Sequence, residues 1–196
     1  MKTATGCPLK AIPTRYKGYH FRSRLEARWA VFFDALDIQY MYESEGYELR
    51  DGTKYLPDFY LPELSGGLHV EVKPTIEPFQ FRKAMRFSEQ NLSSILLLVG
   101  EPAARSYVIY GGDELPCVVS GTECFFEAWS AHFYSKYLPG GSHGDENRLY
   151  LGNSDTYDRL KGRFADNSEF IYDSRVRLAI QQSRSARFEF GQSGAT

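Results

Sequence analysis

Leu68-His69-Val70-Glu71-Val72-Lys73 alternates apolar and polar residues, and Ser94 to Val99 is a continuous apolar run. Alternation with period two marks a strand with one face toward a core, whereas an unbroken apolar run marks a strand buried on both faces. Between them Glu77 to Gln90 reads as a helix, with Pro78 tolerated in its first turn and Phe79, Ala84, Met85 and Phe87 available to pack. Strand, helix and buried strand in that order make a crossover unit. The chain is therefore expected to be α/β, with helices on both faces of a mixed sheet.

The flanking segments extend this sheet. Ser23 to Asp37 is predicted helical, because Leu25, Trp29, Phe32 and Leu36 fall on one stripe. Ile38 to Leu49 and Lys54 to Leu61 read as strands around Asp51-Gly52, a dipeptide that supplies the positive φ angles of a tight hairpin. With Tyr107 to Tyr110 as a further strand, the expectation is a mixed central β-sheet of about five strands flanked by helices.

Residues 1–18 read as an irregular, basic N-terminal segment, and 19–138 as the core. Residues 139–196 read as a linker plus a helical C-terminal extension, the linker being the Gly- and Ser-rich stretch from Pro139 to Asn147. Thr122 to Leu138 is predicted helical from the spacing of Phe125, Trp129, Phe133 and Tyr137. Ser174 to Phe190 is also predicted helical, carrying Arg175, Arg177, Arg184 and Arg187 and ending at Gly191 as a C-cap.

Composition narrows the class. At 196 residues, with 42% apolar and 24% charged residues, the chain has ordinary globular usage and enough length for one buried core. It has no apolar run long enough for a membrane span and no apolar stretch of a signal peptide near its start, so a cytoplasmic protein with no membrane partner is expected. Cys7, Cys117 and Cys124 form no CxxC pair and leave one cysteine over, which suits a reducing compartment and argues against structural zinc. The net charge of −2 means that any nucleic-acid affinity must come from local patches. Lys10 to Arg28 is such a patch, with six basic residues against the single acid Glu26 and aromatics interleaved; a plain solvated face is the alternative.

The chemistry concentrates at Pro57-Asp58 and Glu71-Val72-Lys73. On the strand from 68 to 73, Glu71 and Lys73 share a face, and Asp58 joins them if its strand is the neighbour. Mg²⁺ takes oxygen ligands and is usually held by one or two carboxylates plus substrate phosphates. Asp58 and Glu71 are such ligands, and the Val72 carbonyl is a further one. Beside two carboxylates Lys73 stays charged, so activation of water by Lys73 requires a bound dication. His69 lies on the same face and reads as a pairing residue.

These residues resemble the PD-(D/E)XK nuclease superfamily, the restriction-endonuclease-like fold. Pro57-Asp58, twelve intervening residues and Glu71-Val72-Lys73 carry the likeness. The helix Phe21 to Ala30, then Tyr42-Glu43 and Tyr55-Leu56-Pro57-Asp58-Phe59, is similar to the order found in transposon-type and phage-type endonucleases. The likeness covers roughly residues 19–100 and implies an αβββαβ core. It also implies an Mg²⁺- or Mn²⁺-dependent endonuclease acting on DNA, with Asp58, Glu71 and the Val72 carbonyl on the metal and Lys73 positioning or activating water. Glu26 stands where a helix glutamate of such families completes the metal site, although Ser23-x-x-Glu26 is also a capping box. Lys17, Arg22, Arg24, Arg82, Lys83 and Arg86 are candidate DNA contacts. A homodimer or partner contact through the C-terminal extension, and a nuclease-like fold used only for nucleic-acid binding or assembly, stay open.

Overall fold

The computed structural model describes residues 11–64, 67–75, 82–91, 95–102, 105–109, 118–120, 123–125, 129–133, 149–151, 157–158, 163–164 and 174–188. Its centre is the expected crossover. Strand β7 (Leu68–Lys73) and strand β8 (Ile95–Val99) pair in parallel, His69 opposite Ile95 and Lys73 opposite Val99, with helix α2 (Arg82–Asn91) between them in the chain. The helix expected from Glu77 is described from Arg82 onward, and Pro78 and Phe79 lie outside the described residues.

Antiparallel neighbours make the sheet mixed: β6 (Phe59–Leu61) lies on one side of β7, and β9 (Arg105–Ile109) on the far side of β8. A short β3 (Met41–Tyr42) continues the sheet beyond β6. Beyond β9 come β12 (Trp129–Phe133) and β13 (Leu149–Leu151), so that seven strands run in the order β13-β12-β9-β8-β7-β6-β3. That is two more than the five or so expected. Both additions come from segments read otherwise.

Trp129 to Phe133 is a strand and not part of a helix over Thr122 to Leu138; β10 (Val118–Ser120) and β11 (Glu123–Phe125) form a hairpin ahead of it. The spacing of four between the aromatics misled, because four is two strand periods as well as about one helical turn. The β-propensity of Trp and Phe then decides for the strand. The C-terminal part also holds a two-stranded ribbon, β14 (Tyr157–Asp158) with β15 (Arg163–Phe164), and helix α3 (Ser174–Ser185). Helix α3 is shorter than expected. The hydroxyls of Ser183 and Ser185 donate to the Ile180 and Gln182 carbonyls, a competition with the backbone ladder that suits a helix end. Gly191 and the linker from 139 to 147 lie outside the described residues.

Helices cover both faces. On one, α1 (Arg24–Ala35) and α3 bury Trp29, Phe32, Phe33, Val176 and Ala179 against Phe59, Leu61, Val70, Val72, Leu96 and Leu98. On the other, Ala84, Met85 and Phe87 of α2 meet Tyr55, Ile95 and Leu97. The alternation of β7 is thus realised: Val70 and Val72 face α1, and the odd positions face the other way. Helix α1 is buried beyond the single stripe expected, because α3 covers its outer side.

Ser23 caps α1 from an extended conformation (φ −138°, ψ 155°), its hydroxyl accepting the Glu26 N–H at 3.1 Å. Ser23→Ala is expected to destabilise the fold by about 1 kcal/mol, read as a lower urea midpoint at unchanged slope.

Local backbone chemistry corrects two further expectations. Within the segment 1–18 read as irregular, Thr14–Tyr16 is a strand, β1, that forms a hairpin with β2 (Tyr19–Phe21) at the start of the expected core. Lys17 and Gly18 both take positive φ (46° and 85°), as the favoured two-residue hairpin turn requires. The strands expected over 38–49 and 54–61 are each broken. Glu43 is left-handed at φ 46°, and its N–H donates to the Asp58 carbonyl at 3.0 Å; Pro57 has no N–H to give a ladder. The outer pieces, β4 (Tyr47–Glu48) and β5 (Lys54–Tyr55), form the expected hairpin over Asp51-Gly52 as a separate ribbon. Among the described residues no helix is long and apolar enough to cross a membrane.

Candidate active site

The break at Pro57 sets up the site. In β6 and β7 Phe59 stands opposite Val70, so one step earlier Asp58 falls opposite Glu71, and directly opposed residues share a face. The Asp58 N–H donates to the Val70 carbonyl at 2.9 Å, holding that register, while its Oδ2 accepts the Val72 N–H at 2.7 Å. Lys73 forms an ion pair with Glu71, and its Nζ lies 3.3 Å from the Val72 carbonyl and 3.9 Å from Asp58 Oδ2. The structure therefore brings Asp58, Glu71, Val72 and Lys73 together. The two carboxylates are 4% and 9% exposed and Lys73 is 24% exposed, so the lysine is the most solvent-accessible of the three.

Partners not foreseen complete the acid pair. Tyr55 Oη donates to Glu71 Oε2 at 2.8 Å, and the Arg22 guanidinium reaches Asp58 Oδ1 at 2.7 Å while pairing with Glu43. Arg22, read as a DNA contact, thus sits in the site. The sequence signal for Tyr55 was its place on the strand leading into Asp58; nothing comparable marked the reach of Arg22 across the fold.

Glu26 is buried and fully engaged. Oε1 accepts from the Ser23 hydroxyl at 2.7 Å, and Oε2 accepts from Tyr42 Oη at 2.6 Å and from the Arg22 N–H at 3.1 Å. Its direct contacts are the helix cap at Ser23, the Tyr42 hydroxyl and the Arg22 N–H, and Arg22 links it to Asp58. His69 meets Tyr47 Oη at 3.0 Å and packs on Tyr60 and Phe87.

The other candidate DNA contacts divide between the two sides of the sheet. Lys17 pairs with Asp34 at 3.1 Å, and Arg24 lines a cavity beside Arg28. Arg82, Lys83 and Arg86 stand exposed on α2, where Arg86 pairs with Asp51 and Lys83 lies 3.4 Å from the Lys54 carbonyl.

Its surroundings make Asp58 costly to ionise. Burial, and then the charge of Glu71, push the Asp58 carboxyl up to about 7; Lys73 and the Val72 N–H pull the other way. The half-exposed Arg22 guanidinium is screened by solvent and offsets little of this. Burial likewise raises the Tyr55 phenol, which stays protonated as a donor to Glu71.

A carboxyl whose folded pKa is raised keeps its proton after the unfolded chain has lost it, so stability falls as pH rises from about 4 to about 7. His69, lowered by burial, works in the opposite sense through the range below 6.5. The expected result is that urea denaturation in EDTA shows the wild type losing more stability between pH 5 and 8 than Asp58→Asn, by on the order of 1 to 4 kcal/mol.

The donor set fits a hard divalent ion. Two buried carboxylates beside the Val72 backbone are oxygen ligands of the kind that Mg²⁺ or Mn²⁺ takes. Among the described residues no group of three or more His, Cys, Asp or Glu side chains gathers as a metal cluster, so any ion here rests on this pair, the carbonyl, water and substrate. Comparison with protein-family models, with curated proteins and with solved structures finds no match to this chain.

Proposed function

We propose that the chain is a divalent-metal-dependent endonuclease that hydrolyses phosphodiester bonds in DNA, built on a restriction-endonuclease-like, PD-(D/E)XK core. The observation that carries this reading is the meeting of Asp58, Glu71 and Lys73 around the Val72 carbonyl. When bound, Mg²⁺ or Mn²⁺ would polarise the scissile phosphate and offset charge on the leaving oxygen. Asp58, Glu71 and the Val72 carbonyl would hold it, and the Tyr55 hydroxyl fixes the orientation of Glu71. Lys73, beside these ligands, would position or activate the attacking water. Glu26 holds Arg22 by its N–H, so that the guanidinium stays on Asp58. Cutting both strands of a duplex takes two such sites, supplied by a second copy or by rebinding. The reducing compartment that the cysteines suit is the cytoplasm.

The test is a panel of supercoiled, linear, single-stranded and branched DNAs with Mg²⁺, Mn²⁺ or EDTA. Nicking or cutting is expected with either ion, none in EDTA, and none by Asp58→Ala. Cleavage by Asp58→Ala at the wild-type rate would sink the assignment. A second reading has its own support. In it the ion pairs of Lys73 with Glu71 and of Arg22 with Asp58 serve to neutralise buried acids in a nuclease-like fold used only to bind nucleic acid. Such a module holds DNA in EDTA and cuts none of the panel.

A further inference from the structure

Asp58 has a cation at each of its oxygens. Arg22 Nη2 donates to Oδ1 at 2.7 Å, whereas Lys73 Nζ lies 3.9 Å from Oδ2, which also accepts the Val72 N–H. For a purely structural ion pair Arg22 is poorly suited. Its side chain is 54% exposed, and a pair screened by that much solvent contributes little to stability.

The surroundings nevertheless hold Arg22 firmly. Its backbone N–H is shared between Glu26 Oε2 at 3.1 Å and Tyr42 Oη at 2.9 Å, and the Tyr42 hydroxyl in turn donates to Glu26. A buried carboxyl and a phenol thus fix the root of a side chain whose head reaches solvent. At that head Nε pairs with Glu43, which sits at φ 46° in the left-handed region where a non-glycine residue is strained. The Glu43 N–H donates to the Asp58 carbonyl, so the strained residue and Asp58 are tied together beside one guanidinium.

A guanidinium carries five N–H donors in a planar fork, and Asp58 and Glu43 engage only Nη2 and Nε. Nη1 meets no acceptor among the described residues. The remaining edge, Nη1 with the second hydrogen of Nη2, matches two phosphate oxygens at once, which an ammonium does not.

We infer that Arg22 is a phosphate-binding residue: its inner edge stays on Asp58 and Glu43 while its outer edge grips the backbone phosphate presented to Asp58, Glu71 and Lys73. The inference rests on the nuclease reading for the phosphate that arrives there, and its test separates the two. A labelled duplex and a labelled single strand are titrated in Ca²⁺ at several salt concentrations against wild type, Arg22→Gln and Arg22→Lys, each checked for native melting. Thermal shifts with Ca²⁺ alone and single-turnover cleavage in Mg²⁺ are measured beside them.

Loss of one phosphate contact is expected to reduce the slope of log affinity against log salt by about 1 and to weaken DNA binding about tenfold. Ca²⁺ binding without DNA is expected to tighten in Arg22→Gln, because a cation beside Asp58 is gone. Arg22→Lys keeps the charge and is expected to keep the slope, yet to cut at least about tenfold more slowly, since one ammonium cannot span both carboxylates and the phosphate. Unchanged slope and affinity in folded Arg22→Gln, with Ca²⁺ binding loosened instead, would make Arg22 a structural cation and overturn the inference. So would cleavage by Arg22→Lys at the wild-type rate, or a wild type without salt-dependent DNA binding. A wild type that never cuts but shows the Arg22→Gln loss refutes the nuclease reading alone.

Discussion

Lys73→Ala is expected to lower metal-dependent DNA cleavage by about 10² to 10⁴, the usual contribution of a positioned proton-transfer group, while leaving metal binding intact. The two effects separate because Lys73 and a dication draw on the same Glu71 carboxylate. Removing the ammonium frees that carboxylate, so the affinity for Ca²⁺ or Mn²⁺ is expected to rise even as cleavage disappears. It also removes one of the charges that hold the Asp58 carboxyl down, so Asp58 retains its proton to higher pH and the gain is best seen at pH 8.5. The measurement is a thermal shift with Ca²⁺, which reports binding without turnover, set beside single-turnover cleavage in Mg²⁺. Lys73→Ala that loses cleavage and metal binding together would return Lys73 to a structural cation. Cleavage at the wild-type rate would remove it from the chemistry altogether.

What the sequence disclosed follows the range of the forces involved. Strand β7 and its polarity were legible because alternation is a local pattern, and the same pattern placed Glu71 and Lys73 on one face. The α1 cap was legible for the same reason. Asp58 needed one more fact, the register of β6 on β7, which the break at Pro57 fixes. The reach of Arg22 to Asp58, of Tyr55 to Glu71 and of Arg184 to Pro102 was not legible, since each joins residues brought together only by packing. The helix expected at Thr122 failed because spacing by four serves both periods. The docking of α3 on α1 could not be read from a linker of any length.

Phe59→Ala is expected to be the most destabilising single truncation near the site, at about 3 to 5 kcal/mol. Phe59 is 1% exposed and follows Asp58 directly. Its ring centroid lies 5.5 Å from Phe33, 5.6 Å from Tyr40, 5.4 Å from Tyr42 and 6.0 Å from Phe21. Three of these contacts are edge-on, the geometry in which an aromatic pair adds about 0.5 to 1.5 kcal/mol beyond burial. The cluster joins α1, the β2 strand and the sheet, and through the Tyr42 hydroxyl it reaches Glu26. Against a total stability of about 5 to 15 kcal/mol, its loss removes a large share. The urea midpoint is expected to fall by about 1 to 3 M, and Phe59→Leu, which keeps most of the volume, by much less. Cleavage by Phe59→Ala should track the folded fraction and recover at low temperature. Lys73→Ala should stay inactive however well it folds, which separates a residue that holds the site together from one that acts in it.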